Sequence, residues 1–227
     1  MSSQQIPNII VGGYRKNDEP AIAEIVYRTG FNGEDLTGRN FIDDQRLFFL
    51  MWAAYYVWYE PEHCFVAVDA IKEMVVGYIL GTPDTLSQEK RFLRKMAPRL
   101  LLRLASVTWW RYPQTIWTHL KMLKMGGELS KYKKIENLYQ EYPAHLHIDL
   151  LPGYQGLGIG TRLMRCFEEH LTSLGVPGVH LETTNHNTRA VPFYKKLGYS
   201  LLQEKKLTSH PAVADFSILT FAKKLGV

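Results

Sequence analysis

A mixed α/β fold is predicted by three observations. Strand and helix signals alternate late in the chain. Two β-rich runs face each other early across a short charged turn. A glycine-rich turn joins a strand to an amphipathic helix. The background composition agrees: 46% of the 227 residues are apolar, 12% are aromatic and 22% are charged, enough to build a core and to exclude a disordered chain. The longest apolar run, Leu47 to Tyr59, is shorter than the roughly 20 residues a bilayer span needs. No secretory signal pattern opens the chain. Cys64 and Cys166 form no CxxC pair, so reduced thiols and a cytoplasmic location are expected.

The elements follow in order. Ile9 to Tyr14 reads as a first strand. Asp18-Glu19-Pro20 reads as a helix start, with Ile22, Ile25, Val26 and Thr29 at helical spacing up to Gly30. Phe31 to Arg39 is a loop. Asp43 or Asp44 caps a second helix running through Leu47, Leu50, Met51 and Ala54 and stopping before Pro61. Cys64 to Val68 and Met74 to Leu80 form an antiparallel hairpin. From Thr82 to Gln140 the chain is basic, rich in Leu, Met and Trp, and helical in pattern. Pro98 and Pro113 should divide it into two or three pieces ending near Gly126-Gly127. His145 to Leu151 is a strand. Thr161 to Leu174 is a helix closed by Gly175, Val179 to Thr184 a strand, and Asn187 to Leu197 a short helix closed by Gly198. Strands from Tyr199 to Leu207 and from Ala214 to Ala222 finish the chain.

Between strand and helix lies Gln155-Gly156-Leu157-Gly158-Ile159-Gly160. Its glycines let backbone approach a ligand closely, and the amides that open the next helix suit an anion such as a phosphate. It is neither a Walker loop nor a dinucleotide GxGxxG motif, and a tight turn with no ligand would look the same on its own. It does not stand alone. The stretch HLHIDLLPGYQGLGIGTRLM, followed by HLETTNHNTRAVPFYKKLGY, resembles the Gcn5-related N-acetyltransferase (GNAT) superfamily. The family's Q/R-x-x-G-x-G/A signature meets Gln155, Gly158 and Gly160. Its later N-x-x-A-x-x-F-Y-x-x-x-G-F/Y pattern meets Asn187, Ala190, Phe193, Tyr194, Gly198 and Tyr199. The layout of YEPEHCFVAVD, VVGYILGTPDT and the Trp- and Pro-containing insertion is also loosely similar to the acetyltransferase-like domain attached to O-GlcNAc hydrolases.

The resemblance implies a GNAT fold over residues 1–227 as one domain: a mixed, mostly antiparallel sheet splayed at the cofactor site, with residues 82–140 as a helical insertion before the cofactor-binding strand. It implies acetyl-CoA as cosubstrate, its pyrophosphate on the amides of Gln155, Gly156, Leu157, Gly158, Ile159, Gly160 and Thr161. The pantetheine arm is expected along the backbone of Asp149 to Leu151, with an N–H near Leu150 or Leu151 polarising the thioester carbonyl. Asn187 is expected to hydrogen-bond the arm, and Tyr194 to stand near the sulfur as general acid. Pro192 departs from a helix capped by Asn187, so that helix begins later or bends.

The general base is left open. His145, His147 and Asp149 share one strand face by period-two alternation, with Glu182 on the next strand. Asp149 ranks first and His147 second. His145-x-His147 lacks further ligands at metal-site spacing, so no metal is expected. Cys166 reads as a small core residue. Trp52, Tyr55, Tyr56, Trp58 and Tyr59 read as packing residues, with an acceptor-groove wall as the alternative.

The net charge of +5 hides an asymmetry. Ser87 to Lys134 holds 12 Lys or Arg against two acids, Glu89 and Glu128, giving +10; the rest holds 15 against 20, giving −5. Arg91, Lys95, Arg99 and Arg103 repeat every four residues, along one helix face if Pro98 only bends the helix. That face is either simply solvated or meets an anionic partner, an acidic acceptor or a membrane surface. No nucleic-acid motif accompanies the charge. The expected function is transfer of an acetyl group to an amine by direct attack in a ternary complex. The rivals are a catalytically silent acetyl-CoA-binding recognition module and an anionic-surface adaptor. A monomer or homodimer is expected.

Overall fold

The computed structural model describes residues 7–39 and 41–226. Strand β1 (Ile9–Gly13) leads into α1 (Glu19–Arg28), which begins with Pro20 in its first turn, where a missing N–H costs nothing. Helices α2 (Gln45–Trp52) and α3 (Ala54–Tyr59) occupy the region expected to be one helix. The Asp44 carboxylate caps α2 by accepting from the Leu47 N–H at 3.0 Å. Strands β2 (Cys64–Asp69) and β3 (Met74–Thr82) form the early hairpin. After the insertion come β4 (Ala144–Leu150), the glycine turn, β5 (Gly178–Thr184), β6 (Ser200–Leu207) and β7 (Phe216–Lys224).

The seven strands lie in the order β1-β2-β3-β4-β5-β7-β6. Every neighbouring pair is antiparallel except β4–β5. That parallel pair is short: Ala144 faces Val179 and His145 faces His180, and beyond them the strands diverge. The sheet is therefore mixed, mostly antiparallel and splayed.

Two apolar layers cover it. β3 reads Met-Val-Val-Gly-Tyr-Ile-Leu-Gly-Thr, apolar at successive positions, because it is buried on both faces. Val75, Tyr78 and Leu80 point into the layer beneath α1, α2 and α3; Val76 and Ile79 point into the layer beneath the helix that follows the glycine turn. Ala144 and Leu146 on β4 belong to that second layer, with Ile148 and Leu150 packed against it. Their odd-numbered neighbours His145, His147 and Asp149 therefore face the α1–α3 side.

The insertion departs from expectation at Pro98 and at its expected end near Gly126-Gly127, while Pro113 divides it as expected. Helix α4 (Thr85–Arg103) continues past Pro98 without a break. Pro98 and Arg94, the residue whose carbonyl it leaves unpaired, are both exposed, so water takes up that carbonyl. Buried Met96, with Phe92 and Leu100 half-buried around it, holds the helix onto the core on either side of the proline. The helix then widens into a π-helical turn (Leu104–Thr108) and ends in α5 (Trp109–Arg111). The wider turn brings residues five apart onto one side. Arg103 grips the fully buried Asp44 carboxylate at 2.9 and 3.0 Å, and Thr108 donates to it at 2.6 Å. The real break is at Tyr112-Pro113, where α6 (Pro113–Leu129) starts; it continues through Gly126-Gly127 rather than ending there. Thr115 and Thr118 bind it to the backbone of Asp43 and Phe41. Glu128 then accepts from Thr208, and Tyr132 donates to the Lys206 carbonyl at 2.7 Å, so the insertion reaches from β3 across to β6. A short α7 (Leu138–Glu141) returns to β4.

Candidate active site

The antiparallel register fixes which backbone groups of β4 are free. The Leu151 N–H donates to the Val76 carbonyl at 2.9 Å. Alternation then turns the N–H groups of Asp149 and His147 toward β3, and those of Leu150 and Ile148 toward the splay. Of the two residues named for an oxyanion contact, Leu150 has the outward N–H and Leu151 does not. The Leu150 carbonyl accepts from Gln155 Nε2 at 3.0 Å, and the other end of that amide accepts from Arg189. Gln155 thus ties the glycine turn to the strand edge.

Helix α8 (Ile159–Ser173) begins where the turn ends. Gly156 and Gly158 both have φ near +77°, a conformation that strains any side chain. A Cβ at Gly158 would meet nothing within 4 Å, so the space over the turn is open. Gly158 is the N-cap and offers no side-chain acceptor; the first intrahelical bond runs from Arg162 N–H to the Gly158 carbonyl. The amides of Ile159, Gly160 and Thr161 therefore carry the helix's positive end, with no acid in the first turn.

Helix α9 (Ala190–Lys196) flanks the opposite wall. It begins three residues later than the Asn187 start, which puts Pro192 in its first turn, where proline is tolerated. Asn187 Oδ1 accepts from the Ala190 N–H at 3.2 Å. The loop after α1 reaches the same wall: Thr184 donates to Asn32 Oδ1 at 2.7 Å, and Gly33 lies against the Asn187 amide.

Asp149 sits at the gap, half-buried, with its Oδ2 accepting from the Tyr78 hydroxyl at 2.5 Å. Burial pushes its carboxyl up to about 7, against the hydrogen bond from Tyr78 and the nearby Thr29 hydroxyl, which favour the charged form. Tyr194 is buried, its ring packed on Phe193, Tyr199 and Phe221. Burial, and then the charge of Asp149, push its hydroxyl above the ordinary range, so it stays protonated. The Asp149 charge acting on Tyr194 couples two groups that come from different elements.

The histidines differ. His145 Nε2 lies 2.5 Å from the Tyr56 hydroxyl and Nδ1 lies 2.9 Å from Thr85 Oγ1, whose proton goes to the Pro143 carbonyl at 2.6 Å. His145 therefore donates from Nδ1 and accepts at Nε2, a neutral ring that pins α4 to β4. Burial pushes it well below its ordinary value. His147 stands among the rings of Trp52, Tyr56 and His145, and burial lowers it to about 4. It is neutral at pH 7 and a weak base. Glu182 is exposed and bound to Lys205 and Thr220. Within the aromatic cluster, Tyr55 and Tyr56 are core residues, whereas Trp52 is 41% exposed beside His147. Among the described residues no group of three or more His, Cys, Asp or Glu is placed to hold a metal ion. Cys64 and Cys166 are free thiols.

Tyr78, Thr29 and Arg189 were not legible from the sequence. Tyr78 lies 71 positions from Asp149, and only the β3–β4 register joins them. A polar Tyr in an otherwise aliphatic strand was the available signal.

Comparison with known proteins gives the family and the fold. Residues 109–199 match the family model described as the acetyltransferase (GNAT) family. The crystal structure of a protein titled SsHAT is 31% identical, with 97% of this chain and 100% of that chain covered and a TM-score of 0.71. A Drosophila melanogaster polyamine N-acetyltransferase is 16% identical over 96% of this chain and 100% of its own, with a TM-score of 0.58. A phosphinothricin acetyltransferase from Sinorhizobium meliloti, crystallised with acetyl-CoA, is 15% identical over 96% and 89%, with a TM-score of 0.57.

Proposed function

Because this chain belongs to the acetyltransferase (GNAT) family, whose cosubstrate is acetyl-CoA, we propose that it is an N-acetyltransferase acting on an amine by direct attack in a ternary complex. One observation carries the reading: the unpaired edge of β4 at Leu150, the open amides of α8 and the Asp149 carboxyl all border one gap.

The residues present suit the cosubstrate. The amides of Ile159, Gly160 and Thr161, over the open turn of Gln155, Gly156, Leu157 and Gly158, hold the pyrophosphate. Leu150, whose N–H faces the gap, and Asn187 on the opposite wall hold the arm between them, with Leu151 fixing the strand through its bond to Val76. Bound there, acetyl-CoA supplies a thioester carbonyl as the electrophile. The Leu150 N–H is the donor for that carbonyl's developing charge. Asp149 accepts the proton of the acceptor's ammonium group, a task its value near 7 suits better than the lower value of His147. Tyr194, held protonated, returns a proton to the departing sulfur. Trp52 beside His147 forms a wall on the acceptor side. Two free thiols accord with a reducing, cytoplasmic setting.

The test is thiol release from acetyl-CoA with a panel of amines, for the native chain and for Asp149→Asn. Turnover with at least one amine, reduced about 10²- to 10⁴-fold by the substitution, is expected. Retained acetyl-CoA binding with no thiol release from any amine would leave a recognition module instead.

A further inference from the structure

The insertion's outer surface is unlike the rest of the molecule. Where α4 turns into α6 through the π-helical segment and α5, Leu101, Leu102, Trp109, Trp110 and Trp117 are each between 58% and 68% exposed. Leu120 and Leu123 extend the exposed apolar set along α6. Three of the chain's five tryptophans stand in water at this elbow, where a free surface would not keep them. From Lys90 to Gly127 there are nine Lys or Arg and no Asp or Glu. Arg91 pairs with Glu60 and Arg103 with Asp44; the other seven, Arg111, Lys121 and Lys124 among them, have no carboxylate partner among the described residues. Lys95 and Arg99 of the four-residue stripe lie over Tyr59, so that stripe is largely absorbed by α3 and the free charge sits farther out, around the elbow.

We propose that this elbow is a peripheral docking surface for an anionic lipid bilayer. Tryptophan and leucine settle at the boundary of headgroup and acyl chain, and lysine and arginine reach the phosphates on flexible stems. No helix among the described residues is long and apolar enough to cross a membrane, so the elbow lies on the surface rather than spanning it. A second copy of the chain fits poorly. A two-fold contact sets the patch against itself, and a patch with no acid brings like charges together. An acidic protein would satisfy the cations, but it leaves three exposed tryptophans without a reason.

The test is flotation of the full chain with vesicles of phosphatidylcholine, alone or with about 30% phosphatidylserine. Binding to the anionic vesicles is expected, at least about tenfold weaker on the neutral ones and weakened again by salt, with a blue shift of tryptophan emission. Replacing Trp109, Trp110 and Trp117 together by Ser should cut vesicle binding about tenfold or more while leaving acetyl-CoA affinity and the circular dichroism spectrum unchanged. The exposed pair Lys121→Glu and Lys124→Glu should do the same if the triple variant fails to fold. No binding to anionic vesicles at low salt overturns the proposal. So does binding that ignores both variants, or a concentration-dependent dimer in sedimentation that the tryptophan variant abolishes.

Discussion

Asp149 carries a cost at the residue scale that can be measured apart from turnover. Its folded value of about 7 lies above the ordinary carboxyl value of 3.8, so the folded state holds a proton that the unfolded chain releases. Its contribution to stability is fully present below pH 4 and is lost as the pH rises through 7. Asp149→Asn should therefore melt at a higher temperature than the native protein at pH 8, with the advantage gone at pH 4; thermal scans at the two pH values check this. In activity, the same carboxyl must be ionised, so rate should climb with pH through about 7. Tyr78→Phe removes a hydrogen bond that favours the charged form, and should move that rise to higher pH in a kcat/KM profile. Tyr194→Phe should lower turnover about 10²-fold or more with acetyl-CoA affinity intact, read by steady-state kinetics beside calorimetry. Much of this site was legible because its signals are local: Gln155, Gly158, Gly160 and Asn187 announce a turn and a cap within a few residues of themselves. Tyr78 and Thr29 act through strand register and helix packing, which no short window of sequence contains.

At the scale of elements, the glycine turn and the insertion were legible to different degrees. Open space above Gly158 and its positive φ separate two effects of Gly158→Val. The strained backbone should cost about 1–2 kcal/mol in urea unfolding. The side chain should also fill the anion site, so calorimetry should show acetyl-CoA binding lost well beyond what that destabilisation explains. The insertion's helical character was clear from its pattern, but of its two prolines only Pro113 divides it, and Pro98 does not. Pro98 ends a helix only if the carbonyl it orphans cannot find water, and exposure at Arg94 is a fact of packing rather than of sequence. Asp44 shows the same dependence. Burial pushes its carboxyl up, yet hydrogen bonds from Arg103, Thr108 and the Leu47 N–H outweigh that and hold it below the ordinary range. Arg103→Ala should cost about 3–5 kcal/mol in urea unfolding, because it leaves a buried charge unpaired; Arg103→Ala with Asp44→Asn together should cost less.

For the whole molecule, two layers of helices grip a sheet that is strong everywhere except at one seam. Ligand binding across that seam should stabilise the fold by about 2.7 kcal/mol at a hundredfold excess of acetyl-CoA over its dissociation constant. For a chain of this size that is a rise of about 5–10 °C in Tm, read by calorimetry with and without acetyl-CoA. The early hairpin and the mixed character of the sheet could be anticipated from alternating elements, but not the place of β7 between β5 and β6. The short β4–β5 contact could not, because strand divergence is set by what packs at its far end, where Asn32 and Gly33 meet Thr184 and Asn187. Among the described residues, only Ala144 with Val179 and His145 with His180 pair as strand partners across the two sides. Four strands on one side and three on the other are thus laced by a single stitch, with the Ile148 and Leu150 amides left beyond it. In deuterated water those two protons should leave quickly while the alternate ones on His147 and Asp149, bonded to β3, stay. Any molecule lying along the strand would slow the fast pair and leave the slow pair as it was. An every-other-residue pattern of deuterium uptake, resolved by nuclear magnetic resonance, would then report occupancy of the gap with no reaction taking place.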